Sequence, residues 1–341
     1  MGETTPSAAP LLGRLLRDVS RSFYLTLRVL PAAIRPQIGL AYLLARAADT
    51  IADTDLLPVE LRLNALAALR SRILGPSPAV ADFGLLAANQ SANAEQVLLE
   101  RTGEAIAVLE RFGDEDRRQI RRVLEIIISG QELDLRRFSG QPTGQVGALR
   151  TEEELNDYTY RVAGCVGEFW TRMCRKNLFP KAPLDDRWLE ANGVRFGQGL
   201  QLVNILRDLP ADLRKGRCYI PEIMLAAVGL APVDLLDPEN EPRFRPVYDG
   251  WLDRAQANLT AGWEYTLVLP WSAVRVRLAC AWPLLIGVKT IERLRRGRVL
   301  DATQRIKVTR KEIRSLMLRS IYLYPWPSAW RRLIEEHSRG N

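Results

Sequence analysis

The chain has 341 residues, 47% hydrophobic and 26% charged, with 48 Lys and Arg against 40 Asp and Glu for a formal net charge of +8. That composition supports a globular protein with a large core, and the positive balance points to an anionic partner: nucleic acid, an anionic membrane or a phosphorylated substrate. The one histidine, His337, lies in a charged terminal run, so Ser-His and Cys-His nucleophilic schemes and His-ligated zinc hydrolysis have no centre.

Residues 1–10 read as a flexible tail, small and polar, lacking the basic and apolar regions of a signal peptide. Helical periodicity then runs over 11–27, 36–52, 58–73, 95–112, 114–135, 151–173, 186–206, 223–227, 247–267, 274–296 and 309–324. Acids or capping-box residues follow the starts at Pro58, Thr151 and Thr309. Breaks at 75–78, 139–142, 180–183 and 237–242 read as loops within one domain, 11–315, followed by an aromatic and basic segment, 316–341. No alternating strand run competes. The most apolar stretch, 278–291, is too short to span a membrane, contains Pro283 and reaches Lys289. Cys165, Cys174, Cys218 and Cys280 are scattered without zinc spacing, and read as reduced core residues of a cytoplasmic protein. The expectation is an all-α domain with helices around a central cavity.

Two aspartate pairs share one spacing: Asp49 with Asp53, and Asp208 with Asp212. Four residues apart on a helix, each pair projects two carboxylates from one face and repels itself unless a cation intervenes. Polar lines extend both faces: Tyr42 and Arg46 precede the first pair, Gln201 and Asn204 the second, through segments otherwise rich in Leu and Ala or Val. Such stripes are costly to bury dry and suit a cavity holding metal, water and phosphate. Mg2+ takes oxygen ligands of this kind, and Arg46, Arg207, Arg214, Lys215 and Arg217 supply charge for a diphosphate. A solvated helix face accounts for either pair taken alone. Pro210, inside the second pair, predicts a kink or an end to that helix and puts the position of Asp212 in doubt.

Further segments accompany these pairs in order: Ser20-Arg21-Ser22-Phe23, Gly130-Gln131-Glu132-Leu133-Asp134, Tyr158 to Gly167, and Gly216 to Pro221 after the second pair. With them the chain resembles the squalene/phytoene synthases from about residue 15 to 314. The resemblance implies the isoprenoid synthase fold and a Mg2+-dependent head-to-head condensation of two farnesyl diphosphates through presqualene diphosphate. It implies Asp49, Asp53, Asn204, Asp208 and Asp212 as metal ligands and Tyr158 as the catalytic tyrosine, acting with Arg46. It implies substrate contacts at Ser20, Arg21, Ser22, Phe23, Tyr42, Val162, Val166, Gly167, Gln201, Asn204, Arg207, Lys215 and Arg217. Gly164 and Gly167 thin one helix face, either for an apolar prenyl chain or for close packing of a second helix. Arg161 adds a charge close to Tyr158.

Squalene formation needs NADPH, for which Lys307, Arg310 and Lys311 occupy the family's basic segment; a solvated helix start explains them equally. Squalene synthase is the favoured reading and a non-reducing relative, making phytoene, dehydrosqualene or presqualene diphosphate, the alternative. A basic helical protein binding nucleic acid or membrane is the alternative of another class, but acids lie among the bases at most clusters. The expected enzyme is a monomer that binds no nucleic acid. Its 316–341 segment, with Tyr322, Trp326, Trp330, Arg331 and Arg332, either meets a membrane interface or packs back on the domain.

Overall fold

The computed structural model describes residues 11–20, 23–75, 83–139, 144–304 and 306–334, with Leu11, Leu12 and Phe23 described by backbone alone. The tail 1–10, Arg21, Ser22, the Phe23 side chain, parts of two predicted breaks, Arg305 and His337 lie outside the described residues. The contacts group the described residues of Met1–Arg136 and Arg172–Pro180 into one compact unit, and those of Arg137–Thr171 and Lys181–Asn341 into another.

In the first unit the helices are α1 (Leu16–Ser20), α2 (Phe23–Val29), α3 (Arg35–Ala52), α4 (Val59–Leu74), α5 (Gly84–Ala88), α6 (Asn93–Glu100), α7 (Thr102–Leu109) and α8 (Asp114–Phe138), the last two residues of α8 belonging to the second unit. Leu40, Leu43, Leu44, Ala47, Ala48 and Ile51 recur at helical spacing and are wholly buried, so α3 is a core helix whose remaining face carries the first aspartate pair. The single helix expected over 95–112 is instead two, α6 and α7. Arg101 stands between them with φ −100° and ψ 9°, its guanidinium drawn forward to Glu104 by bonds of 3.0 and 2.7 Å.

The second unit holds β1 (Gly147–Ala148), α9 (Glu152–Thr159), a π-helical turn (Tyr160–Gly164), α10 (Cys165–Asn177), α11 (Asp186–Arg214), β2 (Arg217–Cys218), α12 (Glu222–Ala226), α13 (Glu241–Val268), α14 (Val274–Arg296), α15 (Arg310–Leu323) and α16 (Pro327–Arg331); α10 passes to the first unit from Arg172 onward. The two short strands pair in parallel. Gly216, at φ +74°, turns the chain from α11 into β2, a conformation that costs a glycine little. Thr151 and Thr309 accept the N–H of Glu154 and Glu312, the capping arrangement legible in the sequence.

One expectation is corrected, and two alternatives that the sequence leaves open are decided. Pro210 neither kinks α11 to a stop nor ends it, and the helix runs on to Arg214 with both aspartates. Pro210 has no N–H for the Leu206 carbonyl four residues earlier; that carbonyl accepts from Tyr248 Oη at 3.0 Å instead. The glycines near Tyr158 form no groove for a prenyl chain. A Cβ on Gly167 would stand 1.8 Å from the Gly193 carbonyl oxygen, and one on Gly197 would stand 2.2 Å from that of Ala163, so α10 and the π-turn lie against α11 backbone to backbone. The segment beyond residue 315 is not a separate piece: Trp330 is fully buried, stacked on Trp263 at 4.7 Å, and Trp282 Nε1 donates to Ser320 Oγ at 3.0 Å. All four cysteines are buried and none forms a disulfide. Among the described residues no helix is long and apolar enough to cross a membrane.

Candidate active site

On α3, Asp49 keeps a solvent-facing edge while protein surrounds the rest of its carboxylate. Burial and the neighbouring charge of Asp53 push it up to about 7, against opposing pulls from Arg46, 4.0 Å away, and from a 2.6 Å hydrogen bond donated by Gln131. A carboxylate held so far above its ordinary range lacks enough positive charge around it. Arg46 bonds to Glu95 on α6, and its Nε is buried with no hydrogen-bond partner in the structure. Burial opposes the Arg46 charge, but Asp49 and Glu95 outweigh it and raise the guanidinium further. Tyr42 lies half-buried one turn before Arg46. Ser20, expected to meet phosphate, is buried with its hydroxyl donated to the Leu16 carbonyl.

The second pair lies in the last two turns of α11. Asp208 is half-exposed and held by Arg207 through two bonds, 2.9 Å from Nε and 2.5 Å from Nη2, which raise the guanidinium above its ordinary value. Gln201, Asn204 and Asp212 are partly exposed along the same helix, as the polar line predicts. Arg214 Nε closes on the Pro210 carbonyl at 3.0 Å, while Lys215 is exposed and Arg217 begins β2. Among the described residues no group of three or more His, Cys, Asp or Glu side chains gathers to hold a metal ion. Each pair offers two carboxylates, enough for Mg2+, which keeps several waters and takes substrate phosphates as its other ligands.

Tyr158 is buried near the end of α9, its ring stacked on Tyr219 at 4.8 Å and 20°, with Phe138 edge-on to Tyr219 at 5.2 Å. A π-helical turn follows immediately, a feature frequent where a helix is adapted to a site. Arg161 contributes no uncompensated charge there, because its Nε bonds both oxygens of Asp157 at 2.9 Å. Val162 is half-buried, Val166 exposed and Gly167 turned to α11. Further along, Lys289, Arg293, Arg296 and Lys307 line a cavity of about 440 Å3 with Glu292, Gly297, Ile306 and Glu312. Arg310 and Lys311 are exposed and outside that lining.

The sequence reading passed over two partners, Gln131 and Glu95. Gln131 belongs to the 130–134 segment with nothing local to mark it as a partner of Asp49, and Glu95 carries no local signal, since its partner lies 49 residues away. The remaining basic clusters are ion-paired: Arg117 with Asp114, Arg121 with Glu110, Arg295 with Asp253 and Arg296 with Glu292. Such pairing leaves less free charge for a polyanion than the net charge suggests.

A family model described as squalene/phytoene synthase matches residues 16–312. A bifunctional lycopene cyclase/phytoene synthase of Blakeslea trispora is 28% identical over 220 residues, 61% of this chain and 32% of that protein. A squalene synthase of Saccharomyces cerevisiae is 27% identical over 236 residues, 67% of this chain and 48% of that one. The chain spans only 32% to 39% of the length of the first curated relatives it matches. A solved complex of TcSQS with the ligand BPH1237 superposes with a TM-score of 0.75 at 21% identity, covering 97% of this chain and 92% of that one. At that identity the likeness speaks to the fold alone, the all-α isoprenoid synthase fold.

Proposed function

This chain belongs to the squalene/phytoene synthase family, and from that premise we propose that it is a squalene synthase, joining two farnesyl diphosphates head to head through presqualene diphosphate and reducing the product with NADPH. The observation that carries the reading is the setting of Asp49, which accepts a 2.6 Å hydrogen bond from Gln131, lies 4.0 Å from Arg46 and stands one turn before Asp53. Paired aspartates offer hard oxygen donors only, which fits Mg2+, and the partnerless Nε–H of Arg46 fits an anionic oxygen. The pair Asp49 and Asp53, and separately the pair Asp208 and Asp212 with Asn204, would each hold Mg2+, which when bound draws charge from a departing diphosphate.

The chain's own groups do the rest. Gln131 fixes the rotation of the Asp49 carboxylate, and Arg207 fixes that of Asp208. Arg46, Lys215 and Arg217 supply charge-assisted hydrogen bonds to diphosphate oxygens. Tyr158, locked against Tyr219, presents a phenol of fixed orientation for proton removal or for the leaving diphosphate. Val162 and Val166 add apolar surface for a farnesyl chain.

The cavity lined by Lys307 supports a site for the NADPH phosphate, since four cations there outnumber Glu292 and Glu312. Arg310 and Lys311 serve it less directly. A non-reducing enzyme is the second reading, favoured by the phytoene synthase relatives. We also propose peripheral membrane contact through the exposed aromatic face of α15 and the segment after it. Incubation with farnesyl diphosphate and Mg2+, with and without NADPH, tests the activity. Squalene formed only with NADPH is expected. Dehydrosqualene in both arms, or phytoene when geranylgeranyl diphosphate replaces farnesyl diphosphate, moves the assignment to the non-reducing reading, and no diphosphate release from either substrate by folded protein sinks the synthase reading.

A further inference from the structure

Pro210 sits midway between Asp208 and Asp212, so the helix carries a built-in defect between its two proposed ligands. The defect is local and specific: the Leu206 carbonyl loses the N–H that any other residue at 210 would supply. Tyr248, on α13, fills it with a 3.0 Å hydrogen bond from its hydroxyl. Tyr248 is wholly buried, and burial raises its phenol far above the ordinary range, so it remains a donor wherever the protein is folded. Its ring is fixed as well. Phe244 meets it edge-on at 5.6 Å, and the Arg245 guanidinium lies 5.6 Å from the ring centroid. Arg245 is itself anchored to Asp249 at 3.0 Å and to the carbonyls of Gly297 and Leu294, both at 3.0 Å. On the other side of the defect, Arg214 ties the Pro210 carbonyl.

We propose that Tyr248 is a positioning residue for the second aspartate pair: its hydroxyl replaces the amide hydrogen that Pro210 lacks and keeps the turn bearing Asp212 in helical line with Asp208. The arrangement couples the pair to α13, whereas an unbroken helix would hold both carboxylates by its own backbone. This rests on the reading of Asp208 and Asp212 as magnesium ligands, and the experiment separates the two ideas.

Tyr248→Phe removes only the hydroxyl, Pro210→Ala restores the amide, and the double variant exchanges one donor for the other. Amide hydrogen exchange of the peptide 203–216 in metal-free protein reads the helix. Tyr248→Phe should speed its exchange about tenfold or more, and Tyr248→Phe/Pro210→Ala should return it to within about twofold of the parent. Mn2+ binding in the presence of inorganic diphosphate, followed by the electron paramagnetic resonance signal of free Mn2+, reads the pair. Tyr248→Phe should weaken it about tenfold to a hundredfold, the size typical of a lost outer partner, with recovery in the double variant. General destabilisation without a positioning role would not be reversed by a change at Pro210. Unchanged exchange in Tyr248→Phe, or a double variant that does not recover, overturns the proposal. Altered and rescued exchange with Mn2+ affinity unmoved by both Tyr248→Phe and Asp208→Asn instead overturns the metal reading, and with it the link from Tyr248 to the metal.

Discussion

A single amide hydrogen bond decides how Asp49 is presented. Its carboxylate is raised by burial and by Asp53, and Gln131 is the neutral group that opposes this at 2.6 Å. Gln131→Leu keeps the size of the side chain and removes the donor, leaving the carboxylate free to rotate. The half-saturating Mg2+ concentration for diphosphate release should rise about tenfold to a hundredfold, with little change in thermal stability. Titration of activity against Mg2+ checks it, and an unchanged Mg2+ requirement would remove Gln131 from the site. Arg207 holds Asp208 in the same way but through charge, and the bond spans adjacent residues, so it orients the carboxylate without joining elements.

Helices pack as closely as their smallest residues allow, and the contact of α10 and the π-turn with α11 is made almost without side chains. Gly197→Ala would put a Cβ 2.2 Å from the Ala163 carbonyl oxygen, which forces the backbones apart at a cost of about 2–3 kcal/mol. Calorimetry should show this as a melting temperature lower by about 5–10 °C. Gly250→Ala on α13, where a Cβ meets nothing within 4 Å, should instead be neutral or gain up to about 1 kcal/mol from reduced chain entropy. Equal effects at the two positions would contradict the close packing. The sequence allowed both uses of these glycines, because thin helix faces serve a ligand and a neighbouring helix equally. What was legible was what is local: apolar periodicity, the caps at Thr151 and Thr309, the aspartate spacing on α3 and α11. Distant partners were not, since no rule of spacing links Glu95 to Arg46 or Tyr248 to Leu206. The rule for proline failed at residue 210 for that reason, as the missing donor for the Leu206 carbonyl arrives from Tyr248, 42 residues downstream of Leu206. The Arg161 pairing is local, its partner Asp157 one turn earlier, so the charge that Arg161 adds near Tyr158 is compensated within the same stretch of sequence.

At the scale of the whole molecule, the terminal helices have two faces with different employment. The inner face belongs to the core of the second unit: Trp330 lies against Trp263 at 4.7 Å and Tyr324 at 5.5 Å, with the Arg277 guanidinium 4.7 Å from its ring. The outer face exposes Leu318, Ile321, Tyr322 and Trp326, at 68%, 48%, 70% and 53% of their surfaces, beside the exposed cations Arg319, Arg331 and Arg332. Apolar and aromatic groups bordered by arginine fit the interface of an anionic bilayer. Removing the segment from residue 316 onward would expose the Trp263 and Trp282 surfaces and unfold the unit, so truncation cannot isolate the outer face. Leu318→Ser/Tyr322→Ser/Trp326→Ser touches only exposed side chains and should leave the melting temperature within about 2 °C. If each apolar side chain contributes about 1 kcal/mol of partial burial in lipid, the triple variant loses about a hundredfold in partitioning to vesicles of phosphatidylcholine with phosphatidylglycerol. Parent binding should also weaken as salt rises, because the arginines act through a screened field. Equal co-sedimentation of parent and triple variant would show that this face does not meet the membrane.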